Sequence, residues 1–100
     1  MDNFLKFLKI RRSIRVFGKQ SISKKQLEKI VDAARFAPTA RNLQPWEFVV
    51  VTDTHKLSQL AQLGENGKFM EQAAACIAVF SADTKYFLED GSAATCNILL

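Results

Sequence analysis

The stretch Ala34-Arg35-Phe36-Ala37-Pro38-Thr39-Ala40-Arg41-Asn42-Leu43-Gln44-Pro45-Trp46-Glu47-Phe48-Val49-Val50-Val51 holds a helix end, a polar loop and a strand in immediate succession. Pro38 has no amide donor and drives Ala37 out of helical geometry, so a helix arriving from the N-terminal side stops there. From Thr39 to Pro45 the residues are mostly polar. Trp46 to Val51 is aromatic and β-branched, and its last three residues are continuously apolar, which predicts a strand covered on both faces.

Upstream, Ile22-Ser23-Lys24-Lys25-Gln26-Leu27 has Ser at a cap position, Gln three residues later and apolar residues at the two staple positions. Leu27, Ile30, Val31, Ala34 and Ala37 continue one apolar face, so a helix is expected from Lys24 to Phe36 or Ala37. Before it, Phe4, Leu5, Phe7 and Leu8 share a face of a short amphipathic helix that ends near Arg11. Downstream, Asp53 or Thr54 can cap a helix carrying Leu57, Leu60 and Ala61 and stopped around Gly64 and Gly67. A short turn at Lys68 to Gln72 then leads to a second strand, Ala74 to Phe80. A last helix is expected to open near Asp83 to Lys85 and to continue buried through Ala93, Ala94, Cys96, Asn97, Ile98, Leu99 and Leu100.

With 100 residues, 48% hydrophobic and 24% charged, the chain has material for one domain and none of the bias of a disordered or collagen-like segment. Its two strands are fewer than a free-standing sheet needs, and it ends in Ile98-Leu99-Leu100 without a polar last turn. The expectation is therefore that more chain, or another chain, completes the sheet. Lys6 and Lys9 interrupt the apolar N-terminus, and no stretch approaches the roughly 20 apolar residues of a membrane span. A cytoplasmic location without a membrane partner is expected. Cys76 and Cys96 lack metal-ligand spacing and read as small buried hydrophobes.

The net charge of +4 is unevenly placed. Residues 1–20 hold Lys6, Lys9, Arg11, Arg12, Arg15 and Lys19 against Asp2 alone, and the rest of the chain is close to neutral. Three arginines within five residues, with Ser13 among them, could surround a phosphate, because guanidinium forks match phosphoryl oxygens and the hydroxyl adds a donor. The same residues also describe a solvated basic helix end that makes ion pairs, or a weak nucleic-acid contact. Likewise, the amides of Asn42 and Gln44 and the hydroxyl of Thr39 could read a heteroaromatic edge, or could serve a helix stop and an Asn-stabilised turn with Trp46 packed in the core. His55 is the only histidine, at the start of a surface helix, so no Ser/His/Asp triad can be assembled. Asp83, Glu89 and Asp90 read as solvated helix-end acids. The four glycines form neither a phosphate loop nor a dinucleotide fingerprint.

In order and spacing, Arg11-Arg12-Ser13-Ile14-Arg15-x-Phe17, then Ala34-Arg35-x-Ala37-Pro38-Thr39-Ala40-x-Asn42-x-Gln44-Pro45-Trp46, then Phe48-Val49-Val50-Val51 resemble the N-terminal half of the FMN-dependent nitroreductase family. Asp90-Gly91-x-Ala93-Ala94-x-x-Asn97-Ile98-Leu99-Leu100 resembles the start of that family's central helix. The resemblance implies an α+β fold, a three-layer α/β/α sandwich with a mixed, mainly antiparallel sheet, of which residues 1–100 are the N-terminal part and which is incomplete in this chain. It implies FMN at the interface of a homodimer, with Arg11, Arg12, Ser13 and Arg15 near its phosphate and ribityl chain. Pro38, Thr39, Ala40, Asn42 and Gln44 would lie beside the isoalloxazine bound mainly by the other subunit. Thr39 stands where the family commonly has Ser, which keeps the hydroxyl. The implied activity is ping-pong transfer of reducing equivalents from NAD(P)H through flavin N5 to a nitroaromatic, quinone or similar acceptor, with no side chain required as a catalytic acid or base and no metal. The alternatives are a noncatalytic flavin-binding remnant and a small basic interaction domain.

Overall fold

The computed structural model describes residues 2–100. Helix α1 spans Asp2–Ile10 and α2 spans Lys24–Arg35, followed by a 3-10 turn at Ala40–Asn42 and strand β1 at Trp46–Val51. Helix α3 (Thr54–Gln62), a 3-10 turn at Lys68–Gln72, strand β2 (Cys76–Ser81) and helix α4 (Phe87–Leu99) complete the order. The strands pair antiparallel, with Trp46 opposite Ser81, Phe48 opposite Val79 and Val51 opposite Cys76.

Local signals account for most element starts. The Ser23 side chain accepts from the Gln26 amide at 3.1 Å, and Gln26 Oε1 accepts from the Ser23 amide at 3.0 Å, a reciprocal cap that satisfies two free donors of α2. Ser23→Ala is expected to lower stability by about 1 kcal/mol, read as a shift in the denaturant midpoint. Asp53 caps α3 in the same way, accepting from the Lys56 amide at 3.0 Å. Helix α2 ends at Arg35, slightly before the expected Phe36 or Ala37, because the Phe36 and Ala37 amides turn back to the Ala33 and Ala34 carbonyls in a tightened last turn.

The core lies where α2 and α4 pack together over one face of the sheet. Ala34, Ala37, Trp46 and Ala94 form its buried centre, with Phe48, Val79, Ala93 and Ile98 around them. Ala34 and Ala94 are fully buried, and their small side chains permit close approach of the two helices. Asn97 Nδ2 donates to the Ala33 carbonyl at 3.0 Å and fixes the register between them. Ala94→Leu is therefore expected to overpack this contact and destabilise by about 1–3 kcal/mol, measured by urea denaturation.

Four expectations need correction. The strand at Trp46–Val51 is covered on one face only in this chain: α4 meets the Trp46, Phe48 and Val79 side, and Val49 and Phe80 on the opposite face are exposed. The last helix begins at Phe87 rather than near Asp83 to Lys85, because Thr84 and Phe87 donate back into a preceding turn, to the Ala82 and Thr84 carbonyls. Cys76 is half-buried and Cys96 is exposed. Cys96 follows the buried Ala94 by two residues, which at about 100° per residue turns it to the opposite side of α4. Asp90 is the fourth, and it is buried at 4% exposure. With α4 starting at Phe87, Asp90 precedes Ala94 by one turn and shares its inward face.

Helix α1 has no buried residue, and Phe4, Leu5, Phe7 and Leu8 are exposed, so its apolar face is uncovered among the described residues. Among the described residues no helix is long and apolar enough to cross a membrane.

Candidate functional site

Two separate surfaces carry the residues singled out in the sequence. One is the loop between α2 and β1. Pro38 ends the helix, and the chain then takes three left-handed non-glycine residues, Arg41 (φ 54°), Asn42 (φ 54°) and Gln44 (φ 51°). Such conformations cost on the order of 1–3 kcal/mol each and persist where surrounding bonds over-determine them. Those bonds are present. The Asn42 amide donates to the Thr39 carbonyl at 3.0 Å, and the Leu43 amide to the Ala40 carbonyl at 3.2 Å. Thr39 Oγ1 accepts from the Gln44 amide at 3.2 Å, and Gln44 Nε2 donates to Asn42 Oδ1 at 3.1 Å. Pro38, Asn42 and Gln44 are exposed, and Thr39 and Ala40 are half-buried.

The loop is anchored from a distant part of the chain. Thr39 Oγ1 donates to Asp90 Oδ2 at 2.8 Å, and the Ala40 amide donates to Asp90 Oδ1 at 3.1 Å. Asp90 is the residue that sequence reasoning missed, having assigned it to solvent. Its signal was its position one turn before Ala94 in a helix whose start was placed too early.

The second surface is the basic segment after α1. Arg11, Arg12, Ser13 and Arg15 are all exposed. Arg12 Nη1 donates to the Lys9 carbonyl at 2.9 Å and to the Arg11 carbonyl at 2.8 Å, closing the C-terminal end of α1. The Arg15 guanidinium lies 5.8 Å from the centroid of the Phe69 ring, and Phe17 meets the same ring at 5.9 Å between centroids. Phe69 thus seats the basic segment on the 3-10 turn that follows α3. The ion-pair account of these arginines is not met: among the described residues the only ion pair is Arg35 with Asp32, at 3.1 Å. No hydrogen bond, ion pair or aromatic contact joins the basic segment to the Pro38 to Gln44 loop among the described residues.

Neither surface lines the groove of about 900 Å³ that runs between α2 and the end of β1, along Leu27, Val31, Arg35, Val50 and Thr52. Its strand side, Val50 and Thr52, belongs to the same sheet face as Trp46 and Phe48. Among the described residues no group of three or more His, Cys, Asp or Glu is arranged to hold a metal ion. His55 is exposed at the start of α3.

The architecture is that of the nitroreductase-like α+β proteins. An FMN-dependent nitroreductase from Clostridium difficile R20291 superposes with a TM-score of 0.88 at 37% identity, covering 94% of this chain and 57% of that one. A Desulfovibrio desulfuricans protein provisionally described as a nitroreductase, solved in complex with FMN, superposes with a TM-score of 0.85 at 28% identity, covering 95% of this chain and 59% of the other. In sequence, an Archaeoglobus fulgidus protein provisionally named NADH dehydrogenase/NAD(P)H nitroreductase is 42% identical over the whole of this chain, which spans 61% of that protein's length. The chain belongs to the nitroreductase family, whose family model matches residues 8–86.

The residues present suit a flavin mononucleotide. Three exposed guanidinium groups without carboxylate partners offer charge-assisted donors to a phosphate, and a bonded loop presents two amide side chains that can pair with a polar ring edge.

Proposed function

We propose that residues 1–100 are the N-terminal part of a single FMN-dependent nitroreductase-like domain. It would pass reducing equivalents from NAD(P)H to nitroaromatic, quinone or similar small acceptors in the cytoplasm, as a homodimer with FMN at the subunit interface. In this reading Arg11, Arg12, Ser13 and Arg15 hold the phosphate and ribityl chain. Pro38, Thr39, Ala40, Asn42 and Gln44 of the other subunit border the ring.

The observation that carries the reading is the Pro38 to Gln44 loop, with left-handed backbone at three residues and bonded into one shape, in a member of this family. No hydrogen bond or ion pair joins it to the basic segment among the described residues, which is compatible with the two sets serving one ligand from different subunits. Both the Clostridium and the Desulfovibrio relatives are described with FMN, and the Archaeoglobus protein's name carries NAD(P)H.

The chemistry FMN supplies when bound is hydride acceptance at N5 from a nicotinamide and electron delivery to the acceptor. The protein's residues bind and orient. The guanidinium groups neutralise phosphate charge, the loop amides fix the ring's polar edge, and Pro38 sets where the loop leaves α2.

The full-length protein is expected to show absorbance bands near ~370 and ~450 nm as purified or after FMN addition. Anaerobic NADH or NADPH should bleach the longer-wavelength band, and a quinone should restore it. A colourless protein that takes up no FMN would overturn the reading. Elution at the mass of one chain with flavin bound would contradict the interface placement.

A further inference from the structure

We infer that Asp90 is a positioning residue for the flavin-bordering loop, acting through Thr39 and Ala40 without touching the ring. The inference rests on the flavin reading above. Its basis is a continuous set of bonds between parts of the chain some fifty residues apart: Asp90 Oδ2 accepts from Thr39 Oγ1 at 2.8 Å, and Asp90 Oδ1 accepts from the Ala40 amide at 3.1 Å. Thr39 Oγ1 then accepts from the Gln44 amide at 3.2 Å, and Gln44 Nε2 donates to Asn42 Oδ1 at 3.1 Å.

Two features argue that the acid serves the loop rather than its own helix. Asp90 is 4% exposed and makes no ion pair, and each of its oxygens takes one hydrogen bond, both from the loop. No amide of α4 donates to the Asp90 side chain among the described residues. The loop in turn needs an outside hold. Arg41 and Gln44 occupy left-handed backbone that their side chains disfavour, with Asn42, which tolerates it, between them, and the bonds within the loop all run back to Thr39, Ala40 or Asn42. Thr39 and Ala40 are therefore the points at which α4 can set its shape. Releasing them lets residues 41 to 44 return toward right-handed conformations, which carries the Asn42 and Gln44 amides away from the ring edge.

The test uses the full-length protein and the substitutions Asp90→Asn and Thr39→Val. The first keeps the shape of the acid but sets an N–H against a hydroxyl that must donate; the second keeps the shape of Thr39 and removes its hydroxyl. Hydrogen exchange in the flavin-free protein is expected to lose at least about 10-fold of its protection at the Ala40 and Gln44 amides in both variants, with α2 unchanged. FMN affinity should fall by at least about 10-fold in each, the midpoint potential of the bound flavin should shift, and the double variant should be no worse than the poorer single one. Thr39→Ser should restore protection and affinity toward the parent. Parental protection, affinity and potential in Asp90→Asn would overturn the positioning role while leaving the flavin reading intact. Lowered thermal stability with an unshifted potential would overturn it too, since that is the signature of packing alone. A parent protein that takes up no FMN fails at the earlier step, before any variant is compared, and overturns both.

Discussion

Replacing Arg11 and Arg15 together by glutamine is expected to weaken FMN binding by about 100-fold or more. A hydrogen bond to a charged group is worth about 1.5–3 kcal/mol, so two lost phosphate contacts give at least that factor. The choice of pair follows from the structure. Arg12 also bonds the Lys9 and Arg11 carbonyls, so its loss would disturb the end of α1, whereas the Arg11 side chain makes no hydrogen bond or ion pair among the described residues. Arg15 lies over the ring of the half-buried Phe69, a cation–π contact of modest value for an exposed arginine. Folding stability should therefore stay within about 0.5 kcal/mol of the parent while affinity falls. Fluorescence titration with FMN beside a thermal melt separates the two effects. A change in affinity below about 3-fold would remove the segment from the phosphate site, on the same arithmetic.

Trp46→Ala should produce the largest loss of stability, about 3–5 kcal/mol, against a typical total of about 5–15 kcal/mol for a domain. Trp46 is 8% exposed at the junction of α2, α4 and the sheet, in contact with the cluster of Ala34, Ala37 and Ala94. The alanines around it are too short to close over the space its ring would leave. A second consequence is functional, because Trp46 is separated from the loop by Pro45 alone, and the Pro45 carbonyl accepts from the Ala82 amide at 3.0 Å. Moving the start of β1 moves the end of the loop. The measurement is the midpoint of urea unfolding, with Trp46→Phe expected to retain more of the stability than Trp46→Ala because it leaves a smaller cavity. A loss below about 1 kcal/mol would show that the site collapses or was not well packed.

Three of the exposed apolar regions belong to one account. The uncovered sheet face at Val49 and Phe80, the apolar side of α1 and the groove beside Val50 are all surfaces a larger fold would bury. The chain spans 57–61% of the length of the three relatives named above.

Read without the structure, the chain already specified most of its elements. The Ser23 and Gln26 cap, the stop at Pro38, the Asp53 cap, the turn at Lys68–Gln72 and the strand at Trp46–Val51 all depend on neighbours within a few residues, and each stands where the local pattern put it. The motif order from Arg11 to Trp46 was likewise sufficient to identify the family. Packing settled the rest. The burial of Asp90, the exposure of Cys96 and the open face of β1 depend on which side of α4 meets α2 and the sheet, a contact between segments about fifty or more residues apart. The left-handed turn at Arg41, Asn42 and Gln44 belongs with them. Asn42 tolerates that backbone but Arg41 and Gln44 do not favour it, and Thr39 and Ala40, from which the loop's own bonds run, are held by a carboxyl from the far end of the chain.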